Sequence, residues 1–280
     1  MVTVLLINPY SHSISGVNRA TVEPPVGLGY IAALLEAEGY RCQIIDAQIL
    51  RIPPEKIINY IYHRPVIIGI SSNIVNYRAS LQTAEFIYSK LKNVPIILGG
   101  PHPSSLPEQT LSKSYVQAVA IGESELTMLE IAKRLSTKEH PFKEVRGVVY
   151  KDGNRIIFNP SRLPLQDLDS LPFPAYHLLP PLKIYKSRAR KKPVGPLLST
   201  RGCPYRCIFC NKNIFGYELR VRSVDNICRE IRWLVKNFNI RQLDILDDNF
   251  NGNISRAKEV LDMIIKERFG YKYAEWDKGR

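Results

Sequence analysis

Cys203, Cys207 and Cys210 crowd into one short segment, Gly202-Cys203-Pro204-Tyr205-Arg206-Cys207-Ile208-Phe209-Cys210. A thiolate is a metal ligand, and C-x-x-x-C-x-x-C spacing on one loop lets each of three thiolates take a separate iron of a cubane cluster, leaving the fourth iron open. Structural zinc asks instead for four closed ligands, with a distant second pair that neither Cys42 nor Cys228 supplies. An electron carrier generally closes its cluster with a fourth cysteine. The open site therefore favours small-molecule chemistry, and a non-catalytic iron–sulfur binding module is the alternative from another class.

Such a loop must be held by regular structure. Short β-rich apolar runs recur at Val2 to Ile7, Cys42 to Ile45, Val66 to Ile70, Val94 to Leu98 and Ala118 to Ile121. Between them lie segments with helical spacing: Leu28 to Leu35, about Pro54 to Tyr62, Arg78 to Leu91, and Glu123 to Leu135. This alternation predicts an α/β fold, a flavodoxin-like doubly wound parallel sheet covered on both faces. Ligands meet such a sheet beyond the carboxyl ends of its strands, at the reversal of strand order. The loops concerned are Asn8-Pro9-Tyr10-Ser11, Ser71-Ser72-Asn73, Gly99-Gly100-Pro101-His102-Pro103 and Gly122-Glu123-Ser124-Glu125. Neither G-x-G-x-x-G after the first strand nor a Walker sequence occurs, which argues against a nicotinamide or nucleoside-triphosphate site.

Val145 to Phe158 reads as a β-hairpin around Asp152-Gly153-Asn154, and Asn159 to Pro196 is dense in proline, an extended crossover. The expected division is residues 1–140 for the doubly wound domain, 141–193 for hairpin and connector, and 194–280 for the first part of a partial (β/α) barrel. Val194 to Leu198 reads as the strand before the cysteines, Val224 to Phe238 as a helix, and Leu243 to Leu246 as a strand ending in Asp247-Asp248-Asn249. Ser255 to Phe269 reads as a second helix and Tyr271 to Trp276 as a third strand. Asp247 and Asp248, polar residues at the carboxyl end of a strand, are candidates to meet a ligand, with a helix-capping turn as the plainer reading.

The net charge of +13 is concentrated: Lys183 to Arg222 holds eleven Lys or Arg against Glu218 alone. A nucleic-acid-binding face would spread its cations, whereas these flank the cysteines, so no nucleic-acid partner is expected. Lys183 to Lys192 reads as a solvated linker, while Arg201 and Arg206 are candidates to compensate an anionic cofactor or substrate. An odd, sparse set of five cysteines and the lack of a signal peptide or 20-residue apolar run predict a cytoplasmic protein without a membrane span.

The cysteine segment resembles the cluster loop of the radical S-adenosylmethionine superfamily. Pro24-Pro25-Val26-Gly27-Leu28-Gly29-Tyr30, Gly99-Gly100-Pro101-His102, Gly122-Glu123-Ser124-Glu125, Leu171-Pro172-Phe173-Pro174 and Asp247-Asp248-Asn249-Phe250 resemble its cobalamin-binding-domain subgroup. The resemblance implies a 4Fe-4S cluster on Cys203, Cys207 and Cys210, S-adenosylmethionine on the open iron with Phe209 beside its adenine and Asp247 and Asp248 near it, and a cobalamin. For the cobalamin it points to the loops holding Asn8, Ser71, Ser72, Asn73, Gly99, Gly100, His102, Gly122 and Glu123. His12 lacks the Asp two residues earlier that members using a histidine cobalt ligand carry, so His12 and His102 are read as ordinary loop histidines.

The implied activity is methylation of an unactivated carbon of a small molecule, with oxidative ring closure as the runner-up and flavodoxin or ferredoxin as electron donor. The superfamily's barrel has six strand–helix units of at least about 30 residues each. Residues 194–280 accommodate three strands, so the expectation is a chain truncated within the barrel, inactive alone, or one completed by a second chain. One outcome checks the ligand set directly: replacing any of Cys203, Cys207 or Cys210 by Ala should abolish bound iron after anaerobic reconstitution. Cys42→Ala and Cys228→Ala should retain it.

Overall fold

The computed structural model describes residues 2–12, 22–185 and 189–267. Its centre is a seven-stranded sheet of β1 (Thr3–Asn8), β2 (Arg41–Asp46), β3 (Ile67–Ser71), β4 (Ile96–Gly99), β5 (Ala118–Ala120), β6 (Val148–Asp152) and β7 (Arg155–Phe158). The order is β2-β1-β3-β4-β5-β6-β7, with the first five strands parallel and the last two antiparallel. Strand order reverses at β1, as the doubly wound reading requires.

The strand alternation decides which residues face which layer. Val4 and Leu6 pack with α1 (Val26–Ala37) and the helix Glu125–Ser136, whereas Leu5 and Ile7 pack with the helix Tyr77–Lys90 and Ile57 on the other face. Between them in chain order lie α2 (Ala47–Leu50), α3 (the helix Tyr77–Lys90), α4 (Pro101–Ser105) and α5 (Pro107–Leu111), so Glu125–Ser136 is α6. Two sequence expectations change in detail. Pro54–Tyr60 is a 3-10 helix, and Gly100-Pro101-His102-Pro103 opens a short helix instead of a loop because proline at the first helical position is favoured there. The expected hairpin pairs with β5 and extends the sheet, so it belongs with the sheet and not with the connector.

From Asn159 the chain crosses to the second half through 3-10 turns at Leu168–Ser170, Tyr176–Leu178 and Leu182–Ile184. The crossover is anchored rather than loose. Ala175 N donates to Gly29 O at 3.0 Å, and a Cβ on Gly29 would come within 3.0 Å of Pro174 Cβ. Tyr185 Oη donates to the buried Asp46 at 2.7 Å, and the fully buried Tyr176 donates through Oη to Pro196 O at 2.9 Å.

The second half is built on β8 (Val194–Leu197), α7 (Val224–Phe238) and β11 (Gln242–Ile245), with β11 parallel to β8, followed by α8 (Ile254–Glu267). Ser223 caps α7 by accepting from Asn226 N, and Asn239 ends it in the left-handed region. Leu197, Ile227, Ile231 and Val260 form its core. Two short strands, β9 (Thr200–Arg201) and β10 (Arg220–Val221), pair antiparallel and close the cysteine loop between them. The expected third strand, Tyr271 to Trp276, lies outside the described residues. Among the described residues no helix is long and apolar enough to cross a membrane. Because Tyr176 Oη is the buried bond between connector and second half, Tyr176→Phe should lower stability by about 1 kcal/mol in urea unfolding monitored by circular dichroism.

Candidate functional site

A cavity of about 410 Å³ opens between the carboxyl edge of the sheet and the second half. Its sheet side is formed by Ser71, Gly99, Gly100, Gly122 and Glu123 together with Gly27, Leu28 and Tyr30 of α1. Its other side comes from the cysteine loop and its strand: Arg201, Asn211, Lys212, Phe215 and Asp248. Three of the four loops singled out from the strand pattern thus contribute to one wall, the loop from Asn8 to Ser11 does not, and the residues flanking the cysteines form the opposite wall.

The three cysteines sit on a constrained loop whose flanking residues Arg201, Asn211 and Lys212 are in this wall, while the cysteines themselves are not. Gly202 has φ +84°, and a Cβ there would meet Glu218 O at 2.0 Å, so only glycine fits between β9 and Cys203. Cys203 is buried, with its N–H donating to Gly216 O at 3.3 Å and its sulfur accepting from Asn249 Nδ2 at 3.7 Å. Cys207 and Cys210 are exposed and joined by a turn in which Cys210 N donates to Cys207 O at 3.0 Å. All five cysteines are free thiols. Burial pushes the Cys42 thiol up to about 12 and raises that of Cys228, and both lie outside the cysteine loop. Phe209 stands 89% exposed beside Cys210, outside the cavity wall.

Several expected contacts have other partners. Arg201 is not available to an external anion: only 2% exposed, it donates through Nη1 to Glu123 at 2.7 Å and through Nη2 to Glu125 at 2.6 Å. Arg220 Nη2 lies 2.5 Å from the other oxygen of Glu123. Burial works against the Arg201 charge, and the Glu125 and Glu123 carboxylates outweigh it, so its acidity is weaker than usual. Arg206 is on the surface over the Tyr217 ring. Asp247 serves the backbone: its Oδ1 accepts from Ser199 N at 2.6 Å and Thr200 N at 3.0 Å, and its Oδ2 accepts from Ser199 Oγ. Asp248 is the member of the pair that reaches the cavity wall.

On the sheet side, Asn8 donates to Asp46 at 2.8 Å, and Asn73 closes its own turn by accepting from Val75 N and Asn76 N. His102 is buried against the Tyr77 ring, with Nε2 3.1 Å from Gln109 Oε1. None of these three is in the described cavity wall. His12 lies at the edge of the Tyr10 ring. Gly100 has φ +105°, and a Cβ there would stand 2.5 Å from Ser72 O, so its missing side chain admits backbone rather than ligand. Ser72 itself is buried with its hydroxyl lacking a partner among the described residues.

Tyr30, Lys212 and Phe215 were not singled out by the sequence reading. Tyr30 and Phe215 each lie under the Arg201 guanidinium, at 5.0 and 5.2 Å. Their signal was proximity to recognised motifs: Tyr30 ends the Pro24-to-Tyr30 segment, and the other two follow Cys210.

Comparison with known proteins agrees with this assembly. A B12 binding domain model matches residues 13–132. An uncharacterized methyltransferase of Pyrococcus horikoshii is 32% identical over 94% of this chain and 57% of its own length. Cytidylyl-2-hydroxyethylphosphonate methyltransferase of Streptomyces wedmorensis is 29% identical over 92% of this chain and 57% of its own. The chain thus spans little more than half the length of these two relatives. Among solved structures, the radical S-adenosylmethionine methyltransferase TsrM of Kitasatospora setae superposes with a TM-score of 0.73 at 19% identity, over 96% of this chain and 52% of that one. The cobalamin-dependent S-adenosylmethionine radical enzyme OxsB gives 0.78 at 24% identity, over 95% and 37%. With a B12 binding domain model matched at residues 13–132 and methyltransferase relatives matched along nearly all of its length, the chain is similar to cobalamin-dependent radical SAM methyltransferases such as TokK of Streptomyces tokunonensis, 29% identical over 73% of this chain and 30% of that one.

Proposed function

We propose that this chain carries the cofactor sites of a cobalamin-dependent radical S-adenosylmethionine enzyme, a methyltransferase acting on an unactivated carbon of a small molecule. The observation that carries this reading is a loop of three free thiols whose flanking residues Arg201, Asn211 and Lys212 wall a cavity at the carboxyl edge of a doubly wound sheet. When bound, the cluster and S-adenosylmethionine supply a hydrogen-abstracting radical, and the cobalamin supplies a methyl group.

The residues present fit these groups. Cys203, Cys207 and Cys210 would ligate three irons. Among the described residues no three His, Cys, Asp or Glu side chains close on a single ion, and a cubane makes no such demand because each thiolate holds a different iron. Asp248, the acid on the cavity wall nearest in sequence to the Asn249 that contacts Cys203, would receive the S-adenosylmethionine ammonium. The exposed Phe209 ring is available to an adenine. Ser71, Gly99 and Gly122 line the cavity along the sheet edge and would border a corrinoid's polar tail, and the adjoining Ser72 hydroxyl, buried and without a partner among the described residues, would serve that tail from just behind the wall. Leu6, Val26 and Met128 line the same cavity and would exclude water from the reacting face. An electron donor such as flavodoxin or ferredoxin would approach the exposed Cys207 to Cys210 side. The domain division proposed is 1–140, 141–193 and 194–280, with the hairpin a structural extension of the first.

Oxidative ring closure is the second reading, favoured by likeness to the anaerobic magnesium-protoporphyrin IX monomethyl ester cyclase of Rubrivivax gelatinosus, 27% identical over 95% of this chain. Anaerobic reconstitution with iron, sulfide and hydroxocobalamin, followed by elemental analysis and optical spectra with and without S-adenosylmethionine, tests the cofactor set. Four irons and one cobalt per chain are expected, and iron without cobalt would leave only an iron–sulfur module.

Ser72 gives a sharper check. Ser72→Ala should weaken hydroxocobalamin binding about tenfold, equivalent to about 1.4 kcal/mol, in an optical titration. The same variant should leave the ligand-free chain no less stable, because the hydroxyl removed is buried without a partner.

A further inference from the structure

The cysteine loop is tied to the sheet on both of its flanks. On the N-terminal flank, Arg201 binds Glu123 and Glu125 of the loop and helix that follow β5. On the C-terminal flank, Asn211 Nδ2 and Asn213 Nδ2 both donate to Ser105 Oγ at the end of α4, at 2.5 and 3.1 Å. A third bond links the two receiving loops to each other, since Gly122 N donates to Ser104 Oγ at 3.1 Å. Glu123, Glu125, Arg201 and Asn211 are themselves wall residues of the cavity.

There is little slack between these anchors and the sulfurs. A single residue, Gly202, separates Arg201 from Cys203, and its conformation is fixed by the backbone of Glu218. Asn211 follows Cys210 directly. A ligand that shifts the Glu123 and Glu125 carboxylates therefore moves Arg201 and with it Cys203.

Resting on the cofactor reading above, we infer that Arg201, Glu125 and Ser105 are positioning residues that couple the corrinoid site to the cluster site. Filling the cavity orders the anchors that the cysteine loop needs, and forming the cluster orders the wall that the corrinoid needs. Each ligand then binds more tightly in the presence of the other, and the coupling is reciprocal. The charge pair carries the larger share because it is buried and ionic, while Ser105 is partly exposed and contributes less.

The test is optical titration of hydroxocobalamin into the chain before and after anaerobic reconstitution of the cluster. For the wild type, the reconstituted form should bind at least about fivefold more tightly. In Glu125→Gln the ratio should fall toward one, and in Ser105→Ala it should fall part of the way. Equal affinities for the two wild-type forms overturn the inference, as does a full wild-type ratio in both variants. If Glu125→Gln does not fold, Ser105→Ala decides, and an undiminished ratio there overturns the inference. A wild-type chain that takes up neither group fails the functional reading itself, whereas one that takes up both independently fails only the coupling.

Discussion

The buried pairing of Arg201 and Arg220 with Glu123 and Glu125 is the interaction on which the arrangement of this molecule depends. Each of these side chains is less than a tenth exposed. Removing such charges from water costs several kcal/mol per ion, and mutual attraction offsets that only if partners stay close and correctly oriented. Two guanidiniums and two carboxylates cancel in charge, so the set is stable only with its two halves docked. Arg201 comes from the strand before the cysteines and the carboxylates from the end of β5, so separating the halves would strand both signs. A buried ion cluster is poor at adding stability but good at specifying one geometry, and here the geometry specified is that of the cysteine loop over the cavity.

Two further buried cations repeat the device on the far side of the same strand. Arg222 binds Glu230 and Asn226 and donates to Leu198 O at 3.0 Å, with the Tyr30 hydroxyl at 3.4 Å. Burial pushes the Glu230 carboxyl above the usual carboxylate range and Arg222 opposes that shift, so among the described residues the charged carboxylate relies on Arg222. Arg256 of α8 donates to Ser199 O at 2.8 Å and Ser199 Oγ at 3.1 Å, and Asp247 holds Ser199 from the other side. The turn between β8 and β9 is thus clamped by side chains from three elements. Much of the basic charge around the cysteines is therefore internal, which is why a count of lysines and arginines overstates the cationic surface offered to a partner.

The doubly wound core was legible because short β-rich apolar runs and period-3.6 spacing are local properties of the chain. The cysteine loop was legible because three thiols at that spacing have few other uses. What could not be read was which polar residue meets which. Asp247 and Asp248 are adjacent and identical, yet one holds the backbone at Ser199 and Thr200 while the other faces the cavity. Arg201 and Arg206 lie on either side of Cys203, yet one is buried on two carboxylates and the other is on the surface. These choices depend on partners 48 to 78 residues away, which spacing along the chain does not encode.

The short motifs outside the cysteine loop share a physical role that their small and polar composition hides. Gly29 lets the connector's Pro174 seat against α1, and Gly100 lets the backbone of Ser72 approach. Glu123 and Glu125 then supply the charges that Arg201 needs. Each motif brings two backbones closer than side chains would allow, or ties them once they are close. Their joint product is a gap with the sheet's carboxyl edge on one side and the residues that flank the three thiols on the other. A reaction that must pass between two cofactors requires such a gap to be held at constant width, and close backbone contact with buried charge pairing holds it where apolar packing alone would let the halves slide.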